Sequence, residues 1–364
     1  MKKSWLIISI WIAILVGAIF WTVSKYPIYT PSFPYHQTIA HLPRQLSILG
    51  NFDGANYLWI STHGYPIKGG EVAFFPLYPI LISTLVNLGI EPLYAALIFN
   101  LFCVTIIGLL IHQLYPKLSA KFLLLFLSFP VSFYLVSAYT ETLFILFFLT
   151  FMLCLKQQRW WLAALIAGLA SGTRLVGAIF GVILIIEYFR YHPITINHKL
   201  LTMFILSELG LLAYMYFLFT TRGDPLSFIH AQPLFGMGRS GGEIIFLPQV
   251  LYRYLKMLLT VDTMSLLYWR VLWELLTFLA SLYLLIKYWV KLTPAERIYT
   301  AWVVLLPTLS GTLSSFPRYA LVAIPLFLAV AKEIKPIYLT FIVLAQSSLL
   351  IFNLILFTRG LFVA

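Results

Sequence analysis

The chain has 364 residues, of which 61% are apolar and only 10% charged, with a mean hydropathy of +0.94. Soluble domains carry roughly a quarter charged residues, so this composition excludes a soluble fold and implies an all-α polytopic membrane protein. The formal net charge of +12 does not mark a nucleic-acid binder, because the 24 Lys and Arg are dispersed singly or in pairs between apolar segments, as membrane-flanking cations are.

The first apolar segment, 5–24, follows Lys2 and Lys3 and has no small-residue cleavage site after it, so it reads as a retained helix rather than a signal peptide. Further spans are predicted at 74–90, 92–114, 121–136, 139–155, 160–189, 199–220, 244–261, 266–290, 298–314, 319–333 and 336–358. Some are short, so about ten to twelve crossings are expected. Segment 160–189 is too long for one helix and short for two. Ser171-Gly172 breaks it near the middle, which predicts two half-helices meeting at membrane depth, an arrangement tolerated only beside protein or a wet cavity. Cys103 and Cys154 lie inside apolar runs and make no disulfide framework.

The Lys/Arg bias places Lys2 and Lys3, Lys156 with Arg159, Arg190 with Lys199, Lys287 with Lys291 and Arg297, and Lys332 with Lys335 in the cytoplasm. Lys117 and Lys121 assign the loop 112–121 to the same side, whereas counting segments from the first span puts it opposite. One non-spanning helix upstream would reconcile the two. Two long segments face away from the cytoplasm on this orientation: 25–73, polar, aromatic and proline-rich, and 221–243, with Arg222-Gly223-Asp224-Pro225 and a glycine-rich run from Gly236 to Gly242. With no internal repeat and no second soluble unit, residues 1–364 read as one transmembrane domain.

Asp53 is one of only 12 acids and precedes a stretch suited to an amphipathic helix lying flat on the membrane, with Tyr57, Trp59 and Ile60 on its interfacial face. Its two readings are a carboxylate held at the water–lipid boundary and a helix N-cap. Glu71 opens the next apolar segment and suits a solvated flank. Glu141, Arg174, Glu208 and Arg318 sit between or within apolar segments, where ionisable groups face a cavity or a partner. Ion pairing, for example of Glu141 with Arg174, competes with anion binding, which is favoured for Arg174 and Arg318; Glu208 reads as structural. His36, His41 and His63 lack metal-ligand spacing, and there is no phosphate-binding loop or nucleophile elbow, so no metal or cofactor is indicated.

Phe52-Asp53-Gly54 with Tyr57-Leu58-x-Ile60 and Gly64-Tyr65 resembles the aspartate motif of the GPI mannosyltransferase 2 family, glycosyltransferase family 76, and its bacterial relatives. Four further stretches fit in order: Phe74-Phe75-Pro76-Leu77-Tyr78-Pro79, Ser137-x-Tyr139-Thr140-Glu141-x-Leu143-Phe144, Gly168-Leu169-Ala170-Ser171-x-Thr173-Arg174 and Phe316-Pro317-Arg318-Tyr319. Phe52 stands where the family has Trp, Asn56 where it has an aromatic residue and Ser61 where it has Ala; these departures bear on the acceptor more than on the reaction class.

The resemblance implies a GT-C glycosyltransferase fold in a bacterial cell membrane rather than an ER membrane, with 25–73 as external catalytic loop. It implies transfer of a sugar, mannose by family default, from a polyprenyl-phosphate donor to a glycan or glycolipid acceptor on the non-cytoplasmic face, with inversion. Asp53 is then the catalytic base. Arg174 and Arg318 bind the donor phosphate, with Glu71, Glu141, Tyr57, Tyr139 and Tyr319 in support. The lipid-linked sugar is a substrate, and nucleic acid is no partner. A secondary transporter or lipid flippase, which also uses broken helices with buried charges, is the competing class. A non-catalytic assembly subunit is a third.

Overall fold

The computed structural model describes residues 2–27, 41–194 and 197–364, and all regular structure among them is helical. The stretch 28–40, which includes His36 and part of the first long loop, lies outside the described residues. Five helices are long and apolar enough to cross a bilayer: Lys2–Lys25, Pro92–Leu114, His198–Arg222, Leu266–Lys291 and Pro336–Thr358. At 1.5 Å per residue each exceeds the roughly 30 Å hydrocarbon thickness. The first, third and last are peripheral, with only 28%, 22% and 17% of their apolar windows buried by protein, so lipid covers the rest. Other passes are assembled from shorter pieces in series, and these carry Asp53, Glu141, Arg174 and Arg318.

The two ends of the bundle are fixed by specific contacts. Lys121 Nζ donates to the carbonyl of Ile334 at 3.1 Å, and Lys291 pairs with Glu333. Ile8 packs against Gly108, so the start of the first helix lies beside the end of Pro92–Leu114. These contacts gather Lys2, Lys121, Lys291 and Lys335 at one Lys-rich end. At the other end Arg44 donates to the carbonyls of Val23 (3.3 Å) and Tyr26 (2.8 Å), and the Arg359 guanidinium lies 5.9 Å from the Tyr26 ring. Arg222 reaches the Pro66 and Gly69 carbonyls there as well.

This geometry answers the conflict at 112–121. The first helix leaves the Lys-rich end and Pro92–Leu114 returns to it, and among the described residues between them no helix is long enough to cross. The predicted span 74–90 contains only the helix Leu77–Val86, about 15 Å long and half a bilayer deep. Segment 121–136 also departs from a single helix. It is the short helix Ser119–Leu127 followed by a 3-10 turn, Ser132–Val136, beside the last helix, with Ser128 Oγ donating to Gln346 Oε1 at 2.8 Å.

The predicted span 244–261 is not a span. Its helix Leu247–Thr260 is amphipathic and stays at the end opposite the Lys-rich one: Ile245 N–H donates to the Leu309 carbonyl and Arg253 to that of Gly311. Its apolar content matches that of a short span, but Arg253 and Lys256 break the run and fit an interfacial helix. We expect cysteines introduced at Gln249 and Thr260 both to react with an impermeant thiol reagent added from outside intact cells. Reaction of only one would restore a crossing.

Segment 160–189 does break at Ser171-Gly172, into Trp160–Ser171 and Ile179–Tyr191, with Arg174 in extended backbone between them. The first half packs backbone to backbone on His198–Arg222. A Cβ placed on Gly210 would collide with the Gly168 carbonyl oxygen, so only glycine admits this approach. Leu211 N–H donates to Ser171 Oγ across the same seam at 3.2 Å.

Candidate functional site

Asp53 begins the helix Asp53–His63 at the end of the bundle away from the lysines. The expectation of a helix lying on the membrane surface fails. Tyr57 and Ile60 are 5% and 7% exposed, and of the three named interfacial residues only Trp59 is open. Gly54 explains the burial, because a Cβ there would already be 3.3 Å from the Ala138 carbonyl oxygen, so the helix sinks against the 137–140 segment. The N-cap reading of Asp53 fails too. Phe52 holds the cap position, no side chain caps the helix, and the Asp53 carboxylate points elsewhere.

It points at Arg318, whose Nη1 donates to Asp53 Oδ2. Arg318 also donates through Nε to Glu141 Oε1 at 2.8 Å, and its Nη2 lies 2.8 Å from the same oxygen. Arg174 Nη1 donates to that oxygen as well, at 2.7 Å. Two arginines and two carboxylates thus form one neutral quartet. Glu141 is fully buried, the Arg318 and Arg174 side chains are 6% and 12% exposed, and Asp53 is the most open at 27%. Aromatic faces cover the cations: Arg318 lies 4.7 Å from the Tyr139 ring and 5.2 Å from that of Tyr134, and Arg174 lies 5.3 Å from Tyr319. Tyr139 is fixed in turn by its hydroxyl donating to the Asn51 carbonyl at 2.8 Å. The expected ion pair of Glu141 with Arg174 is therefore present, extended by Arg318 and Asp53.

Backbone strain flanks both sides of the Asp53–Arg318 pair. Phe52, just before Asp53, has φ 56°, and Ser315, just before the helix Phe316–Val322 that bears Arg318, has φ 67°. Left-handed backbone in a non-glycine residue costs about 1–3 kcal/mol and persists where the surroundings over-determine it, commonly at functional sites.

Three of the four, Asp53, Arg174 and Arg318, line a cavity of about 490 Å³, together with Tyr57 and Tyr319 and with Phe74, Phe235 and Phe362 among its apolar walls; Glu141 lies behind them. The 221–243 segment folds over it and contributes Arg239, Ser240 and Glu243. That segment is held by Asp224, which accepts from Leu226 N–H at 2.9 Å and pairs with His230 Nδ1 at 2.7 Å. The His230 hydrogen bond keeps the Asp224 carboxyl below its ordinary range. Arg270, from the helix Leu266–Tyr288, completes the lining.

Of the candidates read from the sequence, Asp53, Tyr57, Glu141, Tyr139, Arg174, Arg318 and Tyr319 converge here. Glu71 does not. It sits in the 3-10 turn Gly70–Ala73, off the cavity lining, with Oε2 curled back against Gly69. Glu208 lies beside Gly181 in the helix His198–Arg222, also off the cavity. Sequence reasoning missed Arg239 and Arg270. Arg239 was visible as a cation inside a glycine-rich external run; Arg270 looked like any cation near the start of a span. Among the described residues no group of three His, Cys, Asp or Glu side chains is placed to hold a metal. Comparison with family models, with curated proteins and with solved structures found no match in any of the three.

Proposed function

We propose that this chain is an integral membrane glycosyltransferase of GT-C type. It moves a sugar, mannose on the family resemblance, from a polyprenyl phosphate to an acceptor hydroxyl on the non-cytoplasmic face. The observation that carries this reading is that Asp53 and four arginines, Arg174, Arg239, Arg270 and Arg318, line one cavity at the end opposite the Lys-rich one. The Lys/Arg bias assigns that end to the outside, where a lipid-linked sugar and not a nucleotide sugar is the available donor.

The chemistry asks for a base and a leaving-group clamp on opposite sides of the sugar. The Asp53 carboxylate, held by Arg318, accepts the acceptor's proton as the new glycosidic bond forms. Guanidinium groups take the charge that collects on the departing lipid phosphate. Glu141 neutralises the buried arginines and fixes their orientation. The aromatic walls suit a sugar ring, which stacks on such faces. A transporter draws support from the broken helix at Ser171-Gly172, but its site belongs at mid-depth between repeats, whereas this cavity lies at one end.

Purified protein given a polyprenyl-phosphate mannose with a radiolabelled sugar and a panel of membrane glycolipid acceptors should move label from donor to acceptor. Label that stays on the donor, together with passage of an intact fluorescent lipid-linked sugar across proteoliposomes, would make the chain a flippase instead.

A further inference from the structure

We infer that Arg239 and Arg270, not the two deeper arginines, form the site for a phosphate headgroup carried on an apolar chain; the inference rests on the transferase reading for its choice of ligand. The cavity's four arginines fall into two pairs. Arg174 and Arg318 already spend their charge on Glu141 and Asp53. A phosphate arriving there must compete with a fully buried carboxylate that has no other cation to turn to.

Arg239 and Arg270 are placed differently. Among the described residues neither is ion-paired with a carboxylate. Arg239 donates only to neutral oxygens, Gln232 Oε1 at 3.2 Å and Ser315 Oγ at 3.3 Å. Arg270 donates to the thioether of Met237 at 3.3 Å, and its guanidinium lies 5.7 Å from the Phe362 ring. Its Nε is buried with no hydrogen-bond partner. A guanidinium presents five donors in a planar fork, and a thioether is a weak acceptor, so this cation is under-satisfied. Met237 joins the two arginines, because it touches Arg270 and stands two residues from Arg239 on the same glycine-rich turn. No acid is ion-paired with them among the described residues. Glu243 lines the cavity without pairing with either, and Glu274, fully buried and taking the Tyr254 hydroxyl at 2.6 Å, attracts both arginines through space without a hydrogen bond to either. A phosphate can therefore take both guanidinium groups while displacing only neutral acceptors.

The apolar part of the ligand follows from the neighbours. Leu234 just before the same turn and Ile244 and Phe246 just beyond it are 71%, 65% and 71% exposed, an apolar surface beside the arginines. The ligand is a phosphate with a lipid tail, which the donor supplies.

The test is direct binding of a fluorescent short-chain polyprenyl phosphate to the purified full-length chain, with the matching polyprenol and inorganic phosphate as separate arms. Wild type should bind the polyprenyl phosphate well above either control. Arg239→Gln and Arg270→Gln should each weaken that binding by about tenfold or more, and Arg270→Lys should recover part of it. Thermal midpoints of the variants report whether each is folded, and Arg239, on a surface turn, tests the site even where Arg270→Gln destabilises. Binding unchanged in both Gln variants overturns the site, as does equal binding of polyprenol; inorganic phosphate binding as tightly as the lipid overturns the lipid assignment. Donor-lipid binding that depends on both arginines in a chain that transfers no sugar keeps the site and sinks the transferase. Transfer at the wild-type donor KM in both variants does the reverse.

Discussion

Replacing Asp53 by Asn is expected to lower sugar transfer by about 10²–10⁴-fold, the usual share of general base catalysis, with the protein still folded and still binding donor lipid. The substitution is nearly isosteric. Asn still offers Arg318 a carbonyl oxygen and Glu141 still pairs with both arginines, so the quartet is left with one net positive charge, at its most open corner where water screens it. No helix cap is lost, because Asp53 does not cap its own helix. What disappears is the capacity to take a proton. The measurement is turnover at saturating donor, with thermal midpoint and donor affinity read on the same preparation. An Asp53→Asn enzyme working near the wild-type rate would end the assignment, and the alternatives within reach are poor. Glu141 is fully buried and shared by two guanidinium groups, and Glu71 lies off the cavity.

Glu141→Gln should act on stability more than on chemistry. Removing one partner of a buried ion pair costs about 3–5 kcal/mol, because the remaining charge stays in a poorly solvating environment. Here a single oxygen serves Arg174 and Arg318 together, and Asp53 reaches only the latter. The variant is left with two buried guanidinium groups and one carboxylate. Set against a typical folding stability of about 5–15 kcal/mol, the loss is large. We expect a markedly lower unfolding midpoint in detergent and poor recovery on expression. A Glu141→Gln protein with the wild-type midpoint would show that water or lipid phosphate already solvates these arginines, and the quartet would no longer count as structural.

Much of this arrangement was readable from the sequence in outline. The helical class, the break at Ser171-Gly172 and the chemistry-bearing motifs around Asp53, Glu141, Arg174 and Arg318 stand out as polar islands in an apolar chain. Their joining does not. Asp53 and Arg318 are separated by 265 positions, and only the fold brings them together. Apolar content also cannot tell a crossing helix from one that lies at the boundary or stops half-way. Leu247–Thr260 and Leu77–Val86 are each rich enough to suggest a span, and their true placement follows from what their ends touch. The burial of Tyr57 and Ile60 was hidden because it depends on the missing Cβ of Gly54 and on its neighbour Ala138. Arg270 was hidden because a cation near a helix start looks like a membrane anchor until its surroundings are known.

The Gly168–Gly210 seam has a bearing on traffic. With two backbones in contact there, no acyl or isoprenyl chain can slip between Trp160–Ser171 and His198–Arg222, and that wall cannot open as a lateral gate. On the proposed function, the donor lipid must reach the cavity by some other route. The cavity lining reaches Ile244, just ahead of the amphipathic helix Leu247–Thr260, and a helix resting in one leaflet can shift with the surrounding lipid without breaking a packed crossing. If the chain is the transferase proposed above, its rate should respond to the thickness and packing of that leaflet, making the bilayer itself a modulator of the reaction.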